Sequence, residues 1–301
     1  MGFALLAVYM GVWTGGQAVG TAISRSLPAE RSAFLMYLSA AVLGILLAIV
    51  SQTWVFEAQF LLISLVGGYQ AWVGYFEIRA VRFSLTLTSL IFPLRFVLSA
   101  VLAAVFLGEA VLYKDPLMSG GAVLLLTAIG LFRLGQKQEN KLSLVEETAQ
   151  MRDRGTFGQW LLAIAIMIFL AGTAGFAMKY FASELTIHRF AFPSYWYPAA
   201  ALFVSPVLFF KRDKNLVALT KQDLWVPLRG AGIIAQIVLE FWLYQILPLA
   251  IVAPALGFGT TVGPVAVGLL GFAERKEVSQ LQFVALGVGF IGALLLVVAR
   301  I

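Results

Sequence analysis

Apolar runs of about the length needed to cross a bilayer follow one another along the chain, separated by short clusters of charged and turn-forming residues. Breaking the hydropathy pattern at those clusters predicts ten helical spans: 3–23, 33–50, 59–78, 84–106, 116–133, 158–180, 191–210, 226–246, 249–272 and 281–299. About 20 apolar residues of helix cross a hydrocarbon core of roughly 30 Å, so ten spans use most of the chain and leave short loops. The first span has no basic segment ahead of it and is longer than the core of a signal peptide, which marks it as a mature helix. The predicted class is an all-α integral membrane protein.

Composition supports that pattern. Of 301 residues, 61% are hydrophobic and 12% charged, and the mean hydropathy is +0.92; soluble domains are about half apolar and a quarter charged. The absence of cysteine excludes disulfides, thiolate nucleophiles and Cys-based metal centres, and the single histidine, His188, cannot build a metal site alone. No GxSxG, HExxH or Walker A pattern occurs, so neither hydrolytic chemistry nor ATP-driven pumping has support. The spacing GxGxxG at Gly287, Gly289 and Gly292 falls inside an apolar helix with no preceding strand and reads as a close-packing face. The net charge of +6 comes from basic residues in short loops, a pattern of membrane topology rather than nucleic-acid binding. No cofactor or metal is expected.

The one long polar stretch, 134–157, lies near the midpoint and reads as a linker, with its core at 136–157. It separates a first unit, 1–135, from a second, 158–301. Sliding the sequence against itself by 165 residues brings 59–78 onto 224–243 and 85–107 onto 250–272, and sets Gly108-Glu109 on Ala273-Glu274. Five spans per half is odd, so the second half enters the membrane from the opposite side. The predicted architecture is two inverted five-helix repeats, which many secondary transporters use to alternate access to a site between the halves.

Specific residues sharpen this. Gly68-Tyr69-Gln70-Ala71-Trp72 with Tyr75-Phe76, then Ala80 to Leu90, Pro93, and Phe106-Leu107-Gly108-Glu109 before a glycine-rich apolar helix, resemble the five-helix unit of the drug/metabolite transporter superfamily, in its EamA-like ten-helix branch. Leu247-Pro248-Leu249-Ala250 and Phe272-Ala273-Glu274 repeat the unit more loosely, and the similarity extends over the whole chain. Ala273 in place of a glycine, and Ser51-Gln52-Thr53-Trp54 where many relatives carry basic residues, depart from the pattern. The resemblance implies an exporter of a small polar or amphipathic metabolite such as an amino acid, in a bacterial or archaeal cytoplasmic membrane.

Charges within a span are costly and usually face a cavity or a partner. Arg95 falls near the centre of the fourth span and Glu240 inside the eighth. At 1.5 Å per residue they lie at depths about 5 Å apart, within the reach of an arginine, so a pair between them is geometrically possible. It reads either as a static lock or as a substrate anchor, Arg95, with a proton-sensitive coupling carboxylate, Glu240. Lys179, close to a span end, is expected to snorkel to the interface. Trp13, Gln17, Gln70, Trp72 and Tyr75 lie among apolar residues and are candidates to line a pocket with aromatic rings and amides. Tyr195 to Tyr197 and Trp242 to Tyr244 fall near span ends, where aromatic belts form. The glycine pairs Gly11/Gly15, Gly16/Gly20 and Gly259/Gly263 read as helix-packing sites. Pro93 and Pro264 interrupt corresponding spans, and Glu109 and Glu274 stand where a carboxylate complements a helix N-terminus.

The functional expectation is a secondary transporter, monomeric or homodimeric, acting on a small molecule. An exchanger of nucleotide sugars or phosphorylated metabolites, with Arg95 and Lys179 holding the anion, and a channel are the alternatives; an intramembrane enzyme would need a reactive cluster that the sequence does not display. Connections after odd-numbered spans hold 16 Lys and Arg against 3 on the other side. The positive-inside rule therefore puts the crowded side in the cytoplasm and both termini outside, the reverse of the arrangement common in the resembled family.

Overall fold

A computed structural model describes residues 2–26, 28–54, 57–83, 88, 91–121, 157–206, 225–253 and 280–298, with scattered positions between 123 and 131 and between 256 and 267. The described residues are helical, with no strand among them. Helices α1 (Gly2–Ser26), α2 (Ala29–Val50), α3 (Gln59–Phe83), α4 (Leu94–Phe106), α5 (Phe157–Ser183), α6 (Phe192–Val204), α7 (Val226–Ile246) and α8 (Gln280–Val298) fall on eight of the predicted segments. Further helical residues at 116–121 and 249–253 fall on the other two. Within these, Glu30–Val50, Gly158–Ser183 and Val226–Ile246 are long and apolar enough to cross a membrane. The linker 136–157, apart from Phe157, and Glu274 lie outside the described residues.

Local chemistry sets the helix ends. α2 stops in a Schellman turn: Gln52 adopts φ +55°, the Gln52 N–H reaches the Ile49 carbonyl at 3.0 Å and the Thr53 N–H reaches that of Ala48 at 2.9 Å. The departure from the family pattern at Ser51 to Trp54 is thus a built helix stop. The predicted span 84–106 is interrupted. Pro93 has no N–H to donate, the chain turns at Phe92-Pro93, and α4 restarts at Leu94 with Arg95 in its first turn. Gly108 then turns the chain at φ +69°, a conformation that costs glycine nothing, and a 3-10 turn, Glu109–Lys114, follows.

Packing joins the two halves of the chain. α3 lies on α5 and α6, α7 on α1 and α2, α4 on α5, and α2 and α6 on each other. Close approaches make this possible. A Cβ at Gly67 would sit 2.5 Å from the Trp196 carbonyl oxygen, and one at Gly230 would sit 3.1 Å from the Ala40 nitrogen. The outward faces are apolar: Leu61, Leu65, Leu162, Phe169, Leu202 and Ile291 are all more than half exposed.

Candidate functional site

Between the halves lies a partly open cavity of about 90 Å³, room for several waters or a very small molecule. α1, α2, α3, α4, α5, α6 and α7 all contribute to its wall. The broken fourth span matters here, because restarting the helix at Leu94 brings Arg95 to the wall inside an otherwise apolar segment.

Arg95 does not pair with Glu240 as the depth estimate suggested. Its guanidinium carbon lies 4.1 Å from the centre of the Phe92 ring, 4.5 Å from Phe96 and 4.9 Å from Trp13, a three-sided aromatic cage. Its buried Nε has no hydrogen-bond partner among the described residues. Glu240 is held elsewhere: the Tyr244 hydroxyl donates to Oε1 at 2.7 Å and the Tyr9 hydroxyl to Oε2 at 3.2 Å. Tyr9 in turn stacks on Trp13. The two charges therefore line one chamber without neutralising each other directly.

A second charged group lies deeper in the wall than the sequence suggested. Glu77, near the end of α3, accepts a hydrogen bond from the Gln17 amide at 2.6 Å, and Nη2 of Arg229 stands 3.5 Å from the same oxygen. Arg229 is buried and crosses a slot floored by glycine: a Cβ at Gly16 would meet its Nη1 at 2.5 Å, and one at Gly20 its Nε at 3.1 Å. The Gly16/Gly20 spacing thus admits a guanidinium as well as a helix. Nη1 of Arg229 has no hydrogen-bond partner among the described residues.

At the other end of α7 the charges serve the backbone. Lys179 is buried and donates to the carbonyls of Tyr244 at 2.8 Å and Leu247 at 3.0 Å, rather than reaching out to the interface. Glu109 accepts the N–H groups of Leu249 at 3.2 Å and Ala250 at 2.9 Å. It does complement a helix N-terminus, but that of the segment beginning at 249 instead of the span that follows it. A cation on the last carbonyls of one helix and a carboxylate on the first amides of the next fix the Leu247-Pro248 junction from both sides.

Of the residues singled out in the sequence, Trp13, Gln70, Arg95 and Glu240 meet in the cavity, while Gln17 reaches it through Glu77. Gln70 accepts a hydrogen bond from the Trp196 indole at 3.3 Å. Trp72 and Tyr75 do not line it; they pack edge to face on each other, and Tyr75 bonds to Glu30. The expected belt residues turn inward: Tyr195, Trp196, Tyr197 and Tyr244 are buried, and Tyr197 stacks on Tyr37 at the cavity wall. His188 stays outside, in the connection before α6, where its Nδ1 accepts the Phe190 N–H. Burial and then Arg189 hold its pKa below the ordinary histidine value. Sequence reasoning passed over Tyr9, Glu77, Arg229 and Gln236. All four lie on expected spans, and the last three carried a signal there as charged or amide groups in apolar segments.

No family model matches the chain, and no curated protein does. Seventeen chains of solved structures match it. One, a crystal structure, aligns with 100% of this chain and 99% of its own length at 15% identity and a TM-score of 0.66, a likeness of fold.

Proposed function

We propose that the chain is an integral membrane secondary transporter of the drug/metabolite kind, with ten spans in two inverted five-helix repeats. Support for the membrane comes from three helices of spanning length and an apolar outer surface that a soluble monomer would not expose on this scale. Support for the repeat comes from packing relations that persist when the halves are exchanged: α3 lies on α5 and α6 as α7 lies on α1 and α2. Gly67 and Gly230, which make equivalent close approaches, are separated by nearly the 165-residue shift. The break at Pro93 lies just ahead of Arg95 and Phe96, which line the cavity, and a membrane tolerates irregular backbone that is buried in protein or lines a cavity.

The cavity carries the functional reading. Arg95 and Glu240 face one space with their charges unspent on each other, a charge pattern that suits a small dipolar molecule, its carboxylate toward Arg95 and its ammonium toward Glu240. Gln70 and Trp13 add a hydrogen-bonding amide and an aromatic wall. The substrate class this favours is a free amino acid or a similar small zwitterion, exported by alternating access. Lys179, committed to backbone carbonyls, takes no part.

A ligand that binds only the folded state raises its apparent stability. Purified protein heated with amino acids, amines, nucleotides and sugar phosphates is expected to melt higher with amino acids alone, and the shift is expected to vanish in Arg95→Gln. Stabilisation by sugar phosphates in place of amino acids would replace the substrate class.

A further inference from the structure

Beside the central cavity lies a smaller chamber of about 20 Å³, room for about one water, bounded by the end of α1, the start of α2, the end of α3 and the start of α7. Met36, Glu77 and Arg229 line both spaces and so form the wall between them. Gln17 faces the chamber and Gln236 the cavity. Arg229 is eleven residues before Glu240 on α7, about 16 Å along the axis, so this wall is distinct from the Glu240 end of the cavity.

The wall is ionic and loosely made. Its charges come from helices of opposite halves, Glu77 from α3 and Arg229 from α7, with Gln17 of α1 bracing the carboxylate. A separation of 3.5 Å is well beyond the 2.7–2.9 Å of a charge-assisted hydrogen bond. The guanidinium has only 7% of its side chain exposed, yet Nη1 has no acceptor among the described residues. A buried guanidinium that lines two neighbouring spaces and keeps an unused donor over Gly16 has hydrogen-bonding capacity beyond Glu77 for a second anion.

We propose that Arg229 is a further anion-binding subsite on the path between cavity and chamber, occupied in this state by the protein's own Glu77, and that the Glu77–Arg229 pair is the gate between the two spaces. A carboxylate passing through replaces that of Glu77 on Arg229, which releases α3 from α7 and opens the wall. Only the identity of the passing carboxylate rests on the transporter reading; the gate itself is read without transport.

The chain has no cysteine, so single thiols report on it directly. Ser32→Cys places a thiol in the chamber and Ala174→Cys one in the cavity. A small membrane-impermeant thiol reagent is applied from the side of the α1–α2 connection. With the pair intact, the Ala174→Cys thiol is expected to react at least tenfold more slowly than the Ser32→Cys thiol. Acetate replacing chloride at constant ionic strength is expected to speed Ala174→Cys several-fold and leave Ser32→Cys unchanged, and Glu77→Gln to make Ala174→Cys fast without acetate. The acetate arm leaves the pair unaltered and decides the matter if Glu77→Gln does not assemble. Equal rates at the two positions from the start, or an Ala174→Cys rate that either acetate or an assembled Glu77→Gln leaves unmoved, overturns the gate. Responsive rates in a protein that moves no amino acid would leave the gate standing and remove the transporter reading.

Discussion

The two ends of α7 each carry one buried cation and one carboxylate, and they use them in opposite ways. At the Leu247 end, Lys179 and Glu109 spend their charge on backbone carbonyls and amides at 2.8–3.2 Å. Those partners are fixed by the helices themselves, so the junction is a rigid joint. At the Arg229 end the charges meet side chain to side chain at 3.5 Å, with a buried donor left over, the cavity on one side and the small chamber on the other. A contact of that kind is exchangeable, because another carboxylate can take the place of Glu77. The difference teaches that a buried ion pair signals motion only when its partners are side chains on separate elements; charge alone does not distinguish a pivot from a gate.

Breaking either end of α7 should have the largest effects on stability. Lys179→Met strands the buried Tyr244 carbonyl and the half-buried Leu247 carbonyl, the first at about 1–3 kcal/mol and the second at less, so a loss of about 2–4 kcal/mol is expected, seen as a marked fall in melting temperature in detergent. A variant that melts like the parent would mean the junction is not a joint. At the gate end, Glu77→Leu leaves Arg229 buried and unpaired, at a cost of about 3–5 kcal/mol, while Glu77→Leu with Arg229→Met should recover most of the loss. Recovery distinguishes an exchangeable pair from a fold-determining one; if the double variant melts no higher than the single, the comparison between the ends fails.

Smaller effects sharpen the same contrast. Gly16→Ala places a methyl 2.5 Å from Arg229 Nη1 and 2.7 Å from Gln236 Nε2, both ends of flexible side chains, and should cost about 1 kcal/mol as they shift. Gly11→Ala, where nothing lies within 4 Å, should be neutral in the same melt. Gln70→Leu removes the acceptor of the buried Trp196 indole, a cost of about 1 kcal/mol. Expression should hold while amino-acid binding changes, and unchanged binding would assign Gln70 to packing.

Much of this was legible in the sequence because hydropathy reports where helices run. Trp13, Gln70, Arg95 and Glu240 were also legible, since a polar group in an apolar run must find a cavity or a partner. What hydropathy lacks is azimuth. Depth along two helices put Arg95 and Glu240 within reach of each other, yet the break at Pro93 turns Arg95 onto Phe92, Phe96 and Trp13, and Tyr9 and Tyr244 claim Glu240. Glu77 and Arg229 were hidden by position. A charge one turn inside a span end looks like an interfacial residue, and Arg229 was counted among the loop cations. Only the packing of α7 against α1 shows that it is buried over Gly16 and Gly20. The aromatic residues near span ends misled for the same reason, because a belt and a cavity wall draw on the same rings.

The central claim is that the cavity between the halves takes an amino acid from one side of a membrane to the other. Counterflow in proteoliposomes tests it most directly: vesicles loaded with unlabelled amino acids, external radiolabelled amino acids, and the parent beside Arg95→Gln and Glu240→Gln. The expected result is saturable uptake accelerated by the internal load, lost in Arg95→Gln and reduced in Glu240→Gln. Flux that neither saturates nor responds to the internal load, or an Arg95→Gln variant as active as the parent, would contradict the account.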